Sequence, residues 1–498
     1  MARVATGIGR RQHSRSFGRI RGESWYFRGM NDAKVTGFPL TLEEARLLLA
    51  SPPSALDIQA PCTTGDGVER WEASRIEALN EAFDRESDAT SCGLWVPASG
   101  AASRMFATVM DSDDALLDLW ARRAELACGA AWEDDVMNAS PNDAPTPNML
   151  RDALMQRMEQ GALPKGLVPF HTRPVRSATA TTSTETAFEA HVRAWNGVQP
   201  GGVVWFTVPE GRMDTVRAHV EATEEVQEGG MQVRLQIQDP ATNTPVLGTD
   251  GNWLCTDEGE VLTRPGGHGT LLPNLSGLDV DMVVVRNIDN APSPERTSLR
   301  ATWTKAMVQE THQWHSARMQ WLSRVRQSPD AATWEGARAF LNDQFREAGV
   351  AQSLSPDHVV SMLELPMRLV AVVKNEGQPG GGPCWALTPH HAGGMAVRRQ
   401  IVEAIEFQES QRSLLAQATH FNPVDMVCVL PSAVPLPACM DSRRFMVAQK
   451  RVQGNEVRVL EYPGLWNGGM SDWLTRFVEI PAACFQPVKT ILDLVDRR

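Results

Sequence analysis

The sequence predicts an α/β fold in which a mainly parallel sheet is covered by helices on both faces. Three observations predict it. Short apolar runs of strand length alternate along the chain with longer runs of helical period. One run, Cys92-Gly93-Leu94-Trp95-Val96-Pro97, feeds into a loop of small residues, and a helical pattern opens at Met105. A later run, Met282–Ile288, is mostly apolar, as in a strand buried on both faces, and it leads to Asp289.

The elements follow in order. Residues 39–50 read as a helix, with Thr41 as cap and Glu44 closing a capping box. A second helix is expected over about 68–84. Residues 31–90 thus form a helical N-terminal segment behind a basic tail at 1–30, and 91–498 form the α/β domain. Within that domain 111–162 reads as a helical insertion. Its helices fall at about 113–128 and 148–160, joined by the Pro/Asn/Asp-rich stretch 138–147. A helix over 184–195 follows, capped by Ser183 or Thr184. Strands are expected at Val203–Val208, Val233–Ile237, Met282–Ile288, Leu369–Val373, Asp425–Leu430, Val457–Leu460 and Arg476–Ile480. Long helices are expected at 298–326 and 331–348.

Composition narrows the function classes. The 498 residues suffice for a large core, and the formal net charge is −12. The first 28 residues carry seven Arg and one Glu, so the remainder is near −18. A body that acidic is poorly suited to wide phosphate-backbone contact, so nucleic acid is not an expected partner. Small phosphorylated ligands need only a few local cations. The basic start resembles a transit peptide in composition, but it has no apolar face at helical spacing, and a disordered tail accounts for it as well. There is no apolar secretory core and no membrane-length apolar run. The eight Cys form neither a C-x-x-C pair nor a Cys/His cluster of zinc spacing. Reduced, buried thiols and a cytoplasmic protein are expected.

Four segments can carry chemistry. The first is the loop Ala98-Ser99-Gly100-Ala101-Ala102-Ser103-Arg104-Met105. Small residues let backbone N–H groups approach phosphate, a helix N-terminus adds positive potential, and Arg104 offers a planar fork to phosphate oxygens. A tight strand-to-helix turn accounts for Gly100 equally well. The second is Pro164-Lys165-Gly166, which holds a Lys on a loop; a surface turn is the alternative. The third is Arg264-Pro265-Gly266-Gly267-His268-Gly269, where three Gly in four residues can bring backbone against a flat base, or simply make a flexible turn. The fourth is the strand ending in Asp289-Asn290. Ligands of open α/β sheets sit beyond carboxyl ends of strands, where a carboxylate can hold Mg²⁺ against a triphosphate. An Asp cap to a turn competes. Asp111-Ser112-Asp113 looks like a metal-binding pair but follows a helix, so it reads as a cap. Asp279-Val280-Asp281 precedes its strand, at the wrong end. His390-His391 has no partner cluster.

Taken in order, these segments resemble the eukaryotic-type UDP-glucose and UDP-N-acetylhexosamine pyrophosphorylases. Ala98–Met105 can be laid on their L-A-G-G-x-G-T-R-L loop, and Pro164-Lys165 on their Pro-Lys. Pro265-Gly266-Gly267-His268-Gly269 is similar to their P-x-G-x-G uracil loop. Asp289-Asn290, Val402-Glu403 and Phe421-Asn422 have counterparts in the same order. Phe485-Gln486-Pro487-Val488-Lys489-Thr490 resembles F-x-P-V-K-T. The first loop, with segments such as RPGGHG, NIDN and THFNPVD, is more similar still to the family of domain of unknown function 4301.

The resemblance implies a Rossmann-like, mixed but mostly parallel sheet of the GT-A nucleotide-diphospho-sugar transferase type. It implies a uridylyltransferase with UTP, a sugar 1-phosphate and Mg²⁺. In that reading Arg104 and Lys165 take the leaving pyrophosphate, with Ala98, Ser99, Gly100, Ala101 and Ser103 around the phosphates. Gly266, Gly267 and His268 meet the uracil and the acceptor phosphate. Asp289 holds the metal, Glu403 and Asn422 bond sugar hydroxyls, and Lys489 reaches the α-phosphate. The run Gly377–Pro383 is expected to close over the sugar. Ser99 and Ala102 stand where the enzymes have Gly, and each adds a Cβ near the phosphates. Insertion 111–162 is longer than the family pattern, and the C-terminal β-helix of the UDP-glucose enzymes is not expected. A non-catalytic nucleotide-binding protein and a glycosyltransferase of the same fold are the alternatives. Sugar, base and oligomeric state stay open.

Overall fold

The computed structural model describes residues 38–51, 56–86, 91–139, 141, 144–174, 182–377, 381–389, 394–430, 436–452 and 454–495. The basic tail, His390-His391 and the centre of the Gly377–Pro383 run lie outside these residues. The chain divides into two compact units. The smaller combines the segment holding helix Leu42–Ala50 with 241–266 and 447–460. Residues 91–498, read from the sequence as one domain, are therefore shared between the two units. Thr41 and Glu44 form the expected capping box on that helix. In this unit Val246, Val457 and Val459 make a small core. The Arg46 guanidinium lies over Trp253 and donates to the Gly251 carbonyl (2.6 Å).

The larger unit carries, among the described residues, a ten-stranded mixed sheet. Its strands are β1 (Thr63–Thr64), β2 (Gly67–Arg70), β3 (Cys92–Pro97), β4 (Val203–Thr207), β5 (Gln232–Gln236), β6 (Met282–Arg286), β7 (Met367–Lys374), β8 (His420–Phe421), β9 (Asp425–Val429) and β10 (Leu474–Glu479). The order is β1-β2-β10-β7-β9-β6-β3-β4-β5, with β8 on the end of β7. All neighbours are parallel except β9, which runs against both β6 and β7, and β8, which runs against β7. The central strands β6 and β9 are buried at every residue. This is why they read as continuous apolar runs: both faces are covered. The start of β9 meets the carboxyl ends of β6 and β7, so one edge gathers the loops after β3, β6 and β7 and the turn before β9.

Helices cover this sheet. Thr297–Gln327 is the longest and packs on Ala73–Glu86, where Asn80 Nδ2 donates to the Thr302 carbonyl (3.1 Å). Helices Asp113–Ala121, Gly129–Ala139 and Pro147–Arg157 lie between the small-residue loop and Lys165, with Trp132 fully buried among them. Ser112 caps Asp113–Ala121 and Asp113 pairs with Arg151 (2.5 Å), so Asp111-Ser112-Asp113 is a cap.

Several elements differ from the sequence expectation. The segment 31–90 is not wholly helical: Val68 is buried opposite Phe477 in strand β2, and the helix begins only at Ala73. The helix expected at 184 starts at Ala187, because Thr182–Thr186 pairs with Pro169–Pro174 as a strand. Thr186, not Ser183 or Thr184, caps it, in a capping box with Glu189. Helix 331–348 ends at Leu341. The hairpin Gly382–Pro389 with Met395–Val402 was not expected. Its polar residues disguise it: Arg398 and Gln400 are buried, paired with Asp472 and with the Ser471 carbonyl (2.8 Å).

The buried centre has a titration consequence. His191 on helix Ala187–Asn196 is fully buried, with Nε2 3.4 Å from the Ile288 carbonyl. Loss of water, then the nearby Arg286 and Arg300 charges, push its pKa down to about 3. The folded state therefore holds fewer protons than the unfolded state between pH 6.5 and 3, so stability falls as pH falls through that window. The slope approaches about 1.4 kcal/mol per pH unit for one proton. Desolvation lowers His268 and His315 to about 4, which acts in the same sense. Urea unfolding at pH 7, 6 and 5 is expected to show this loss, reduced by one proton's share in His191→Gln. An unchanged pH slope in that variant would remove His191 from the account.

Candidate functional site

The small-residue loop leaves β3 and is tied down on both sides. Ala98 N–H donates to the Thr207 carbonyl (3.0 Å) at the end of β4, and Ala102 N–H donates to the Leu163 carbonyl (2.9 Å). Lys165 N–H donates to the Gly100 carbonyl (3.2 Å), and Ala101 bridges Pro164. The loop and the Pro164-Lys165 segment are therefore one backbone assembly, across about sixty residues of intervening helices. Gly100, Ala101, Ser103 and Arg104 are exposed and Ser99 is partly so, while Ala98 and Ala102 are buried. A Cβ added at Gly100 would meet open space, so nothing in the protein interior requires glycine there. Helix Ser103–Asp111 starts without a side-chain cap, which leaves its first N–H groups without a cap at this edge.

From that assembly Lys165 reaches across to β6. Its Nζ lies 2.7 Å from Asp289 Oδ1, with side chains 13% and 23% exposed. Asp289 stands just beyond the carboxyl end of β6, and its N–H is fixed by Asn287 Oδ1 (3.2 Å). The C-terminal segment is stitched to the same loop: Val488 N–H donates to the Asp289 carbonyl (2.8 Å) and Gln486 N–H to Asn290 Oδ1 (3.1 Å). Asp493 accepts from the N–H groups of Lys489 and Thr490 (2.8 and 2.7 Å), which fixes the exposed Lys489, its ammonium 5.6 Å from the Phe421 ring centre.

Of these, Asn287, Asp289, Asn290, Phe421 and Lys489 line a cleft of about 280 Å³, while Lys165 and the small-residue loop are not among its lining residues. Asp289, Lys489, Glu403 and Asn422, four of the residues singled out in the sequence, line it together. Glu403 follows strand Met395–Val402 and forms a capping box with Glu406, which is held by the two arms of Arg444 (2.6 and 2.7 Å). Burial pushes the Glu403 pKa up, against the Asn467 hydrogen bond. Asn422 N–H donates to the Gly381 carbonyl (2.8 Å), and its Oδ1 accepts from Val424 N–H (3.0 Å). Val424 is held at φ +57°, a costly conformation for a β-branched residue, and it also lines the cleft.

From Gly267 onward the third sequence segment packs on the turn of residues 463–466, and neither Gly267 nor His268 is among the residues lining the cleft. Gly267 has φ +85°, which glycine adopts without strain. A Cβ at Gly269 would lie 2.1 Å from the Pro463 carbonyl oxygen, so only glycine lets this turn dock there. His268 stacks on Trp466 (4.3 Å between centroids), and its Nδ1 accepts from Leu465 N–H (3.1 Å). The ring proton therefore sits on Nε2, 4.0 Å from Glu403 Oε1. Gly266 belongs to the smaller unit.

The sequence reading gave no site role to Asn287, Trp466 or Asn467, which also line the cleft. For Trp466 and Asn467 the run Trp466-Asn467-Gly468-Gly469 was the available signal: a large aromatic and an amide beside two glycines. Among the described residues no three His, Cys, Asp or Glu side chains gather as a metal cluster, and no helix is long and apolar enough to cross a membrane.

No curated protein sequence matches this chain. Solved structures similar to it include an Entamoeba histolytica protein assigned as a UDP-N-acetylglucosamine pyrophosphorylase (11% identity, 89% of this chain and 86% of that one, TM-score 0.46). Others are the Trypanosoma brucei UDP-N-acetylglucosamine pyrophosphorylase (11%, 91% and 74%, TM-score 0.45) and a Leishmania major UDP-glucose pyrophosphorylase variant in complex with UDP-glucose (12%, 91% and 73%, TM-score 0.42). The family profile described as Domain of unknown function (DUF4301) matches residues 41–122 and 133–498, and the chain belongs to that family.

Proposed function

We propose that the protein is a nucleotidyltransferase that joins a sugar 1-phosphate to UTP, releasing pyrophosphate and giving a UDP-sugar. The observation that carries this is the convergence at one sheet edge: the small-residue loop, Lys165 on Asp289, and Lys489 stitched to the Asp289 loop. The ordered likeness of these segments to pyrophosphorylase motifs supports it.

In this reading the phosphate oxygen of the sugar 1-phosphate attacks the α-phosphorus of UTP in line, and the bond to the β-phosphate oxygen breaks. Positioning and charge neutralisation do most of such work. The backbone of Ser99–Ser103 and the Arg104 fork receive the phosphates. Lys165 moves its hydrogen bond from Asp289 to the leaving pyrophosphate. Lys489 meets the charge that develops at the α-phosphate. Gly267 and His268 face the base, and Glu403 and Asn422 face the sugar. Asp289 fits the requirement of a Mg²⁺ bound mainly through phosphate oxygens, which needs one or two carboxylates rather than a cage. When bound, Mg²⁺ would neutralise triphosphate charge.

The test is a pyrophosphate-release screen pairing nucleoside triphosphates with sugar 1-phosphates, alongside calorimetric binding of UTP. Turnover with UTP and at least one sugar phosphate is expected. Binding of UTP without turnover of any pair would make this a nucleotide-binding protein, a reading favoured by the Cβ atoms at Ser99 and Ala102. Transfer from a UDP-sugar to an acceptor, without pyrophosphate, would make it a glycosyltransferase.

A further inference from the structure

The smaller unit carries a hollow of its own, of about 340 Å³, that shares no residue with the cleft. The sheet that forms it is ordered Thr263–Arg264, Thr244–Gly248, Asn455–Glu461, Met446–Val452. Side chains alternate across a strand. Val457 and Val459 are buried with Val246 in the core of this unit, so Glu456 and Arg458 stand on the opposite face.

Charge is gathered here unevenly. Lys450, Arg451 and Arg458 all line the hollow, and the other described cations of the unit are Arg46 and Arg264. Glu456 is the one acid in the lining, while Glu43, Glu44, Asp250, Asp257, Glu258 and Glu260 of the same unit are not in it. Arg458 Nη1 donates to the Leu49 carbonyl (3.2 Å), which fixes the half-buried guanidinium as a planar fork. Arg451 and Glu456 lie 3.6 Å apart and are 78% and 71% exposed, so their pairing is weak and Glu456 offsets little of the positive charge. Concave cationic surface of this kind focuses potential on a small anion. Arginine forks match phosphate oxygens, and the volume suits a small molecule. A nucleic-acid strand needs a wide cationic surface, and outside the hollow the acids of this unit outnumber its cations.

We propose that this hollow is a second anion site, which binds a small phosphate-bearing compound on Lys450, Arg451 and Arg458. The site goes beyond the nucleotidyltransferase reading and does not depend on it. The experiment is acetylation of the full chain by an N-hydroxysuccinimide ester, read by mass spectrometry at single lysines. Inorganic phosphate, pyrophosphate and UDP are the probes, against potassium chloride of matched ionic strength. Lys305, paired with Asp84 (2.8 Å), is the reference residue.

A probe with Kd of about 1 mM or below, present at about 10 mM, is expected to slow acetylation of Lys450 about 10-fold by occupancy. Lys305 should be unchanged, and potassium chloride should protect neither. The probe that protects at the lowest concentration identifies the source as free phosphate or a nucleotide. Arg458→Gln is expected to raise the half-protecting concentration about 10-fold, the loss of a charge-assisted hydrogen bond. Arg451→Gln, on a side chain too exposed to disturb the core, is expected to raise it about 3-fold. No protection of Lys450 by any probe, equal protection by potassium chloride, or half-protecting concentrations unchanged in both variants overturns the site. Lys489 reports on the cleft in the same digest. Protection of Lys489 without Lys450 overturns this site and leaves the transferase reading intact. Protection of Lys450 with Lys489 fully reactive supports this site and tells against the transferase reading.

Discussion

Replacing Lys489 with alanine is expected to lower kcat for pyrophosphate release by about 100–1000-fold, the loss seen when one preorganised transition-state donor is removed. The UTP affinity should weaken by less than about 10-fold. The reason is positional. Lys489 lines the cleft with Asp289 and Glu403, which the proposed reading assigns to the metal and the sugar, whereas the small-residue loop, Arg104 and Lys165, which that reading places on the phosphates, are not among the lining residues. Its backbone is fixed by Asp493, so truncating the side chain leaves the segment in place. Single-turnover kinetics with UTP calorimetry separate the two effects. Equal losses in rate and in UTP binding would make Lys489 a ground-state contact and remove its role in the reaction.

Asp425→Ala is expected to cost about 3–5 kcal/mol of stability, because it leaves buried charge uncompensated. Arg286 Nε donates to Asp425 Oδ1 (3.1 Å) and Arg300 Nη2 lies 2.9 Å from Oδ2, with all three residues at most 4% exposed. Burial alone would raise the Asp425 pKa, but the two guanidinium groups bring it below the usual carboxylate value. The loss is a large share of a typical total of about 5–15 kcal/mol. An exposed pair such as Arg412–Glu409, 70% and 86% exposed, should be worth about 1 kcal/mol or less by comparison. Arg286→Met in the Asp425→Ala background should recover part of the loss by removing one stranded charge. Urea unfolding checks both. A loss of 1 kcal/mol or less on this scale, or strictly additive costs, would mean that the cluster is not coupled. The cluster matters to the cleft because Arg286 and Asp425 are paired opposite each other where β6 ends and β9 begins. It sets the height at which Asp289 and the Asn422–Val424 turn emerge.

Much of the fold was legible because burial on both faces writes itself as uninterrupted apolar runs. Cys92–Pro97 was read to its last residue, and β6, β7, β9 and β10 were placed within two residues. What escaped was polar and buried. Arg398 and Gln400 made a core hairpin look like surface, and the pairing that hides them lies some seventy residues away. Strand β2 was taken for the start of a helix because Val68 finds its partner only in β10.

The candidate site divides along the same line. The sequence by itself determined which residue types were available: a small-residue loop after a strand, a Lys between Pro and Gly, an Asp after a buried strand, and a late Val-Lys-Thr phrase. Each is a local feature, and local features survive in one dimension. Tertiary structure alone decided that Lys165 meets Asp289, that Val488 is bonded to the Asp289 carbonyl, and that Asn467 lies against Glu403. The physical reason is that these contacts join residues 64 to 199 positions apart. Such contacts depend on strand order and on one strand, β9, that runs against both its neighbours, and neither is encoded in the pattern of any single segment.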